Sequence, residues 1–297
     1  MELTVNDFFC GAGGVGLGFQ QAGFKIIWAC DFDKYAVQTY RHNVGNYVIQ
    51  ADIKKLSRAD IPTADVWAFG FPCQDLSIAG KQKGFRFICK KCSAEWSYRN
   101  TNNTQCPVCE STEYQAASRS GMFFEIMRLL DEFKTETPQA LPKVLFIENV
   151  KGLKPYLGLL KKELAIRGFT AHIQLYNSKW WDVPQNRERY YIVATGKGIT
   201  GFSFPEEQHD HIPKLSTVLD EDVDNKYFIP DDKAKTIINQ AKERLGTLGK
   251  VHACITPDRV HKRKNGRRAK PEEEEMFTLT AQDIHGVILE CEDGDDE

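Results

Sequence analysis

A short apolar run, Leu3–Cys10, passes directly into Gly11-Ala12-Gly13-Gly14-Val15-Gly16, and this junction restricts the fold more than any other feature of the chain. The run is too short for a helix and is bounded by glycines, so it reads as a strand. The glycines permit a tight turn and close approach of a ligand to the backbone, and the helix they open presents free N–H groups at its start. The alternation then continues. Phe24–Cys30, Tyr47–Asp52, Val66–Cys73 and Val144–Val150 are expected strands. Asp33–Asn43 and Gly121–Phe133 have helical spacing, the second with Met122, Phe123, Ile126, Leu129 and Leu130 on one apolar face. A helix over Leu157–Ile166 and strands over Ala171–Tyr176 and Tyr190–Thr195 follow. Strands alternating with helices make parallel βαβ units, so the expected class is α/β: a doubly wound, mostly parallel, Rossmann-like sheet.

Composition supports a folded chain. Of 297 residues, 41% are hydrophobic, with five Trp, ten Tyr and 18 Phe, enough for a substantial core. No apolar run approaches the roughly 18–20 residues of a membrane span. The start, Met-Glu-Leu-Thr-Val-Asn-Asp, lacks the charged and apolar regions of a signal peptide, so a cytoplasmic location with reduced thiols is expected. Nine cysteines then need a purpose other than disulfides. The net charge of −2 excludes a uniformly basic surface and leaves local basic patches open.

Chemistry-bearing residues gather at the expected strand ends. Asp31 closes the second strand, where a carboxylate can take both hydroxyls of a ribose; with the glycine turn this suits a nucleoside cofactor, either a dinucleotide or S-adenosylmethionine. A purely structural βα turn is the plainer alternative. The fourth strand ends in Gly70-Phe71-Pro72-Cys73-Gln74, with Pro72 stiffening the backbone before the sulfur of Cys73. The next apolar strand ends in Glu148-Asn149-Val150, placing a carboxylate at the same sheet edge, as an acid with a task or as a cap or ion-pair partner. Arg187 and Arg189 stand on alternate residues before a strand, able to grip a phosphate or carbonyl oxygen, or else to lie in a solvated loop.

In this order and at these spacings, Asp7–Gly18, Gly70–Ser77, Glu148-Asn149-Val150 and Gln185–Arg189 resemble the motifs of the C5-cytosine DNA methyltransferases. The resemblance implies an enzyme that uses S-adenosylmethionine, with Phe9 against the adenine, Asp31 on the ribose with Phe32 alongside, and Asp52-Ile53 at the adenine edge. Gly11, Ala12, Gly13 and Gly14 would line the methionine end, with Pro72 nearby. It implies Cys73 as the nucleophile that adds to C6 of cytosine, Glu148 at N3, and Arg187 and Arg189 at the ring carbonyl or a neighbouring phosphate. The substrate would be double-stranded DNA with the target cytosine flipped out. Phe32 replaces a Trp common in the family, and Asp182 stands where a Gly is usual. On this basis residues 1–200 form the catalytic domain and 201–297 a partial target-recognition region with an acidic tail. A role in restriction–modification or self-protection would follow.

Two stretches depart from the rhythm. Within 86–113, Cys89-x2-Cys92-x13-Cys106-x2-Cys109 carries the signature of a zinc ribbon, four thiolates around one structural ion. It interrupts the loop after Pro72-Cys73-Gln74. Phe85, Arg86, Lys90, Lys91, Trp96, Tyr98 and Arg99 mix cations with aromatics around it, so it either extends a DNA surface or is a passive stabilising insert. Past Phe202, a helix near Lys233–Leu245 precedes a basic run with Lys262, Arg263, Lys264, Arg267, Arg268 and Lys270, suited to phosphates or to a solvated charged loop beside Glu272–Glu275. Phe277-Thr278-Leu279-Thr280-Ala281 resembles a late family motif, and the closing element expected after it is missing. A second polypeptide that supplies it, or a truncated, inactive DNA-binding homologue, are the alternatives to a self-sufficient enzyme. An NAD-dependent oxidoreductase also satisfies the glycine pattern but leaves Cys73, Glu148 and Arg189 unused.

Overall fold

The computed structural model describes residues 2–72, 84–211, 213–246, 250–257, 267–279 and 284–289. Cys73, Lys262, Arg263, Lys264 and Cys291 lie outside the described residues. The first strand, β1 (Thr4–Phe8), is buried from Val5 to Phe8 on both faces, as the centre of a parallel sheet must be. α1 (Gly14–Gln21), β2 (Lys25–Asp31), α2 (Lys34–Asn43), β3 (Val48–Gln50) and β4 (Val66–Phe69) follow. Asp33 caps α2, its carboxylate accepting from the N–H groups of Tyr35 and Ala36.

After β4 the chain builds a separate three-stranded antiparallel sheet, ordered β6-β5-β7, from β5 (Arg86–Cys89), β6 (Glu95–Ser97) and β7 (Tyr114–Ala116), with a single-turn helix α3 (Tyr98–Thr101). These strands carry no period that sequence reading detects, because each is only three or four residues long. α4 (Met122–Glu136) then turns Phe123, Ile126, Met127, Leu129, Leu130 and Phe133 inward. β8 (Val144–Val150), α5 (Leu157–Ile166), β9 (Thr170–Asn177) and β10 (Glu188–Thr195) complete the main sheet.

Its order is β3-β2-β1-β4-β8-β10-β9. The β1–β2, β2–β3, β1–β4 and β4–β8 pairs are parallel and β10 runs antiparallel to β8. The α/β, doubly wound expectation holds. The strand order reverses between β1 and β4, the place where ligands of such sheets bind, outside the carboxyl ends. Trp67 of β4 joins the layers, its ring 4.9 Å from Phe8 and 4.9 Å from Phe133.

The chain packs as two compact units, Met1–Leu175 with Arg189–Phe204, and Tyr176–Glu188 with Pro205–Glu297. The second contains α6 (Asp231–Leu245), close to the expected helix, and an antiparallel pair, β11 (Val251–Ile255) and β12 (His285–Leu289). Ile237, Ala241, Cys254, Ala269 and Ile288 form its core. Among the described residues no helix is long and apolar enough to cross a membrane.

Candidate active site

The loops leaving β1 and β4 flank the point where the strand order reverses; Phe9 to Gly14 and Pro72 lie on them, and the other described site residues lie on or beside β2, β3, β8 and β10. Leaving β1, Phe9 has a φ of 52°, a left-handed backbone that a bulky residue rarely adopts. Gly11 and Gly13 continue the turn at φ 54° and 98°. The glycines serve different ends. A Cβ on Gly13 would drive into Val44 and stand 3.1 Å from Tyr40, so packing demands glycine there. At Gly11 and Gly14 a Cβ would meet nothing within 4 Å, which leaves open ground above the turn. Ala12 is exposed on the same turn.

Asp31, at the end of β2, ties this turn to its neighbour. Its Oδ2 accepts the Gly11 N–H at 2.9 Å and its Oδ1 the Asp33 N–H at 2.9 Å. Each oxygen keeps a further acceptor position for a sugar hydroxyl. Phe32 projects its ring into solvent, 74% exposed, an apolar surface with no packing role of its own. Asp52 caps the short turn Ile53–Lys55 through the Lys54 N–H, and Ile53 is buried below it. These residues come from the ends of β1, β2 and β3, adjacent strands, and fit a nucleoside.

Leaving β4, Gly70 lies beside Glu148. A Cβ there would stand 3.6 Å from Oε2 of Glu148, at the end of the adjacent parallel strand β8. The Glu148 carboxylate also meets Arg189, Oε1 to Nε 3.1 Å. The antiparallel register explains this pairing: Tyr191 stands opposite Glu148 and Arg189 opposite Val150, so Arg189 reaches Glu148 on the diagonal. Sequence reading missed a third member. Asn149 is buried and donates from Nδ2 to the Phe71 carbonyl at 3.0 Å, which pins the backbone that leads through Pro72 to Cys73. An amide inside an apolar strand was the available signal.

Arg187 is held differently from Arg189. Its N–H donates to Asn177 Oδ1 at 3.0 Å and its carbonyl accepts from Ser178 N at 3.1 Å, within the second unit. Glu148 and Arg189 therefore form one cluster in the first unit, and Arg187 belongs to another.

The remaining cysteines separate by surroundings. Burial pushes the thiols of Cys10 and Cys30 far above the usual range, with Asp7 and Asp31 adding to it, so both are inert fillers. Cys254 is pushed up to about 11, again by burial. The sulfurs of Cys89, Cys92, Cys106 and Cys109, by contrast, all lie within 4.8 Å of one another. Cys89 pairs with Cys109 at 3.5 Å and Cys92 with Cys106 at 3.6 Å. Burial opposes ionisation of Cys89, but the N–H groups of Cys92 and Lys91 outweigh it and bring the thiol down to about 6. Ser93 and Glu110, each one residue past a Cys-x2-Cys pair, adopt φ of 60° and 59°, so the two turns match. The cluster is one that could bind zinc.

The basic run is also resolved in part. Arg267 pairs with Glu274, two bonds of 2.6 Å. Buried Arg268 donates to the Thr256 carbonyl at 2.8 Å, and buried Lys270 to the Glu275 carbonyl at 2.7 Å. Arg268 and Lys270 serve the interior of the second unit, while Arg267 is exposed and ion-paired to Glu274 at its surface.

The model of the C-5 cytosine-specific DNA methylase family matches residues 3–88 and 110–283. The chain belongs to that family. Membership implies S-adenosylmethionine as methyl donor and DNA as substrate. The family model skips Cys89 to Cys109, so the four-cysteine element lies outside the part of the chain that matches the family. The chain is 28% identical to the orphan methyltransferase M.SPBetaI of Bacillus phage SPbeta, over 97% of this chain and 84% of that protein. It is 33% identical to the type II methyltransferase M.NgoBI of Neisseria gonorrhoeae, over 76% of this chain and 61% of that protein. Two solved structures share the fold: the Entamoeba histolytica methyltransferase EhMeth, with a TM-score of 0.57 and 20% identity over 79% of this chain and 65% of that one, and S. pombe Dnmt2, with 0.55 and 18% over 80% and 67%.

Proposed function

We propose that the chain methylates C5 of cytosine within a specific double-stranded DNA sequence, using Cys73 as nucleophile. The observation that carries this reading is the Glu148 carboxylate, ion-paired to Arg189 and lodged against Gly70, three residues before Cys73. Cytosine C5 is a poor nucleophile. The Cys73 thiolate adds through Sγ to C6, and the ring electrons move to C5 as an enamine. Glu148 hydrogen-bonds N3 and delivers a proton there, and Arg189 and Arg187 hold the ring carbonyl or a neighbouring phosphate. Loss of the C5 proton to water, elimination of the Cys73 sulfur as thiolate and return of the N3 proton to Glu148 then release the methylated base. The base must leave the stack first, at a cost of a few kcal/mol.

Phe9, Gly11, Ala12, Gly13, Gly14, Asp31, Phe32, Asp52, Ile53 and Pro72 would hold S-adenosylmethionine, which when bound supplies the electrophilic methyl group that the activated C5 takes. The open ground above Gly11 and Gly14 and the remaining acceptor positions on Asp31 suit it. Zinc on Cys89, Cys92, Cys106 and Cys109 is structural, since four thiolates leave no coordination position open. Relatives named as type II and orphan methyltransferases support a restriction–modification or self-protection role.

The test is trapping. A pool of long duplexes carrying 5-fluorocytosine throughout, incubated with protein and S-adenosylmethionine, yields a covalent protein–DNA adduct, and Cys73→Ser yields none. An adduct that survives Cys73→Ser overturns the proposal.

A further inference from the structure

The four-cysteine ribbon meets the rest of the first unit through a set of aromatic side chains, Phe87 and Tyr114 against Phe124, Tyr98 against Tyr156, and Phe85 at its entry. Phe85 is 1% exposed, and its ring lies 5.1 Å from Tyr156, 5.7 Å from Phe124, 6.2 Å from Phe71 and 6.3 Å from Phe123. Phe71 closes β4's exit and Phe85 opens the ribbon, so the residues on either side of 73–83 meet in one aromatic cluster. Each side is fixed independently. The Phe71 carbonyl takes the Asn149 amide. The Phe85 carbonyl takes the Tyr98 N–H at 2.9 Å, and the next residue, Arg86, bonds through its carbonyl to Ala117 N at 2.8 Å. Gly84 has a φ of 60°, and a Cβ there would fall on the Tyr156 hydroxyl, so this backbone lies flat against the core.

The backbone partner of Phe85, Tyr98, belongs to the ribbon. Tyr98 follows β6, and both β6 and β7 have only three residues, too short to persist without a staple. The four sulfurs close that sheet from its far end: Cys89 ends β5, and Tyr114, opposite it in β7, follows Cys109 by five residues. At the exit, a Cβ on Gly121 would collide with Ala116, so the ribbon also abuts the start of α4.

We propose that the metal-stapled ribbon is a positioning element for catalysis, holding Gly84–Phe85 against Phe71 and Tyr156 and thereby fixing the flank that follows the segment beginning at Cys73, as Asn149 fixes the flank before it. The proposal rests on Cys73 as nucleophile and zinc as staple. It gives the ribbon a task other than widening a DNA surface. A nucleophile displaced by about 1 Å loses on the order of a hundredfold in rate, so loosening one flank is felt in the chemical step.

The experiment measures three quantities on zinc-replete full-length protein: the adduct-forming rate at saturating 5-fluorocytosine DNA, the S-adenosylmethionine Kd by calorimetry, and zinc content by mass spectrometry. Phe85→Ala is expected to slow adduct formation at least about tenfold, and Phe85→Leu by a smaller factor. Both should keep one zinc and a cofactor Kd within about twofold of wild type, since the proposed cofactor residues other than Pro72 lie at the ends of β1, β2 and β3. Cys106→Ser should lose zinc and show the same rate defect. If Phe85→Ala loses cofactor binding through misfolding, Phe85→Leu decides. Rates within twofold of wild type in Phe85→Leu and Cys106→Ser overturn the proposal. So does a defect confined to the DNA KM, which would mark a DNA surface. An adduct that survives Cys73→Ser defeats the underlying function instead, and purified protein without zinc defeats the staple.

Discussion

Asp7 is wholly buried at the third residue before the glycine turn that starts at Cys10, and burial raises its carboxyl to about 8. The Gly16 N–H offsets part of this, and nearby Asp31 adds to it. Oδ2 of Asp7 and the hydroxyl of Tyr40 have no hydrogen-bond partner among the described residues. Gly16 separates them: a Cβ there would stand 2.6 Å from the Tyr40 hydroxyl and 3.0 Å from Oδ2. Between the ordinary carboxyl value of 3.8 and about 8, the native state holds a proton that the unfolded state has released. Stability from this residue is therefore full below about 4, falls as pH rises towards about 8, and is flat beyond. Urea midpoints at several pH values should show this decline in the wild type and a shallower one in Asp7→Asn. At Glu148, replacement by Gln keeps the shape but removes the transferable proton and the charge facing Arg189. Methyl transfer should fall about 10²–10⁴-fold with the S-adenosylmethionine Kd little changed; undiminished turnover would remove Glu148 from the mechanism.

At the scale of elements, the ribbon and the charged run differ in how far sequence reading carried. The two Cys-x2-Cys pairs announced a cluster able to bind a metal, because tetrahedral ligation needs that spacing whatever surrounds it. X-ray absorption on the purified protein should find four sulfurs at about 2.3 Å from one zinc. The strands of the ribbon were illegible, being too short to show a period, and so was the role of Phe85. The run from Arg267 to Lys270 was legible as charge but not as structure, since its partners Glu274, Glu275 and Thr256 become neighbours only through the chain's reversal. A phosphate contact contributes about 0.9 to the slope of log affinity against log salt. Arg267→Gln should leave that slope for DNA unchanged, because Arg267 is already engaged by Glu274. A loss of nearly a full contact would return it to the DNA surface.

For the whole molecule, the relevant fact is two units of unequal core. The first buries a large continuous cluster that includes the ribbon's Phe85, Phe87 and Trp96; the second gathers around Ile237, Ala241, Cys254, Ala269 and Ile288. Unfolding should not be two-state. In calorimetry we expect the second unit to melt first, and S-adenosylmethionine to raise only the later transition, because a ligand stabilises the unit it binds. A single transition that shifts as a whole would show the units to be coupled. The sequence by itself determined the fold class, the family and the residues at the strand ends, because glycine turns, strand periods and metal spacing are local constraints. Tertiary structure alone decided that Asn149 holds Phe71, that Arg189 reaches Glu148 across a diagonal, and that Phe85 ties the ribbon to the end of β4. Those depend on strand register and on which aromatic rings meet, and neither is set by residues adjacent in the chain.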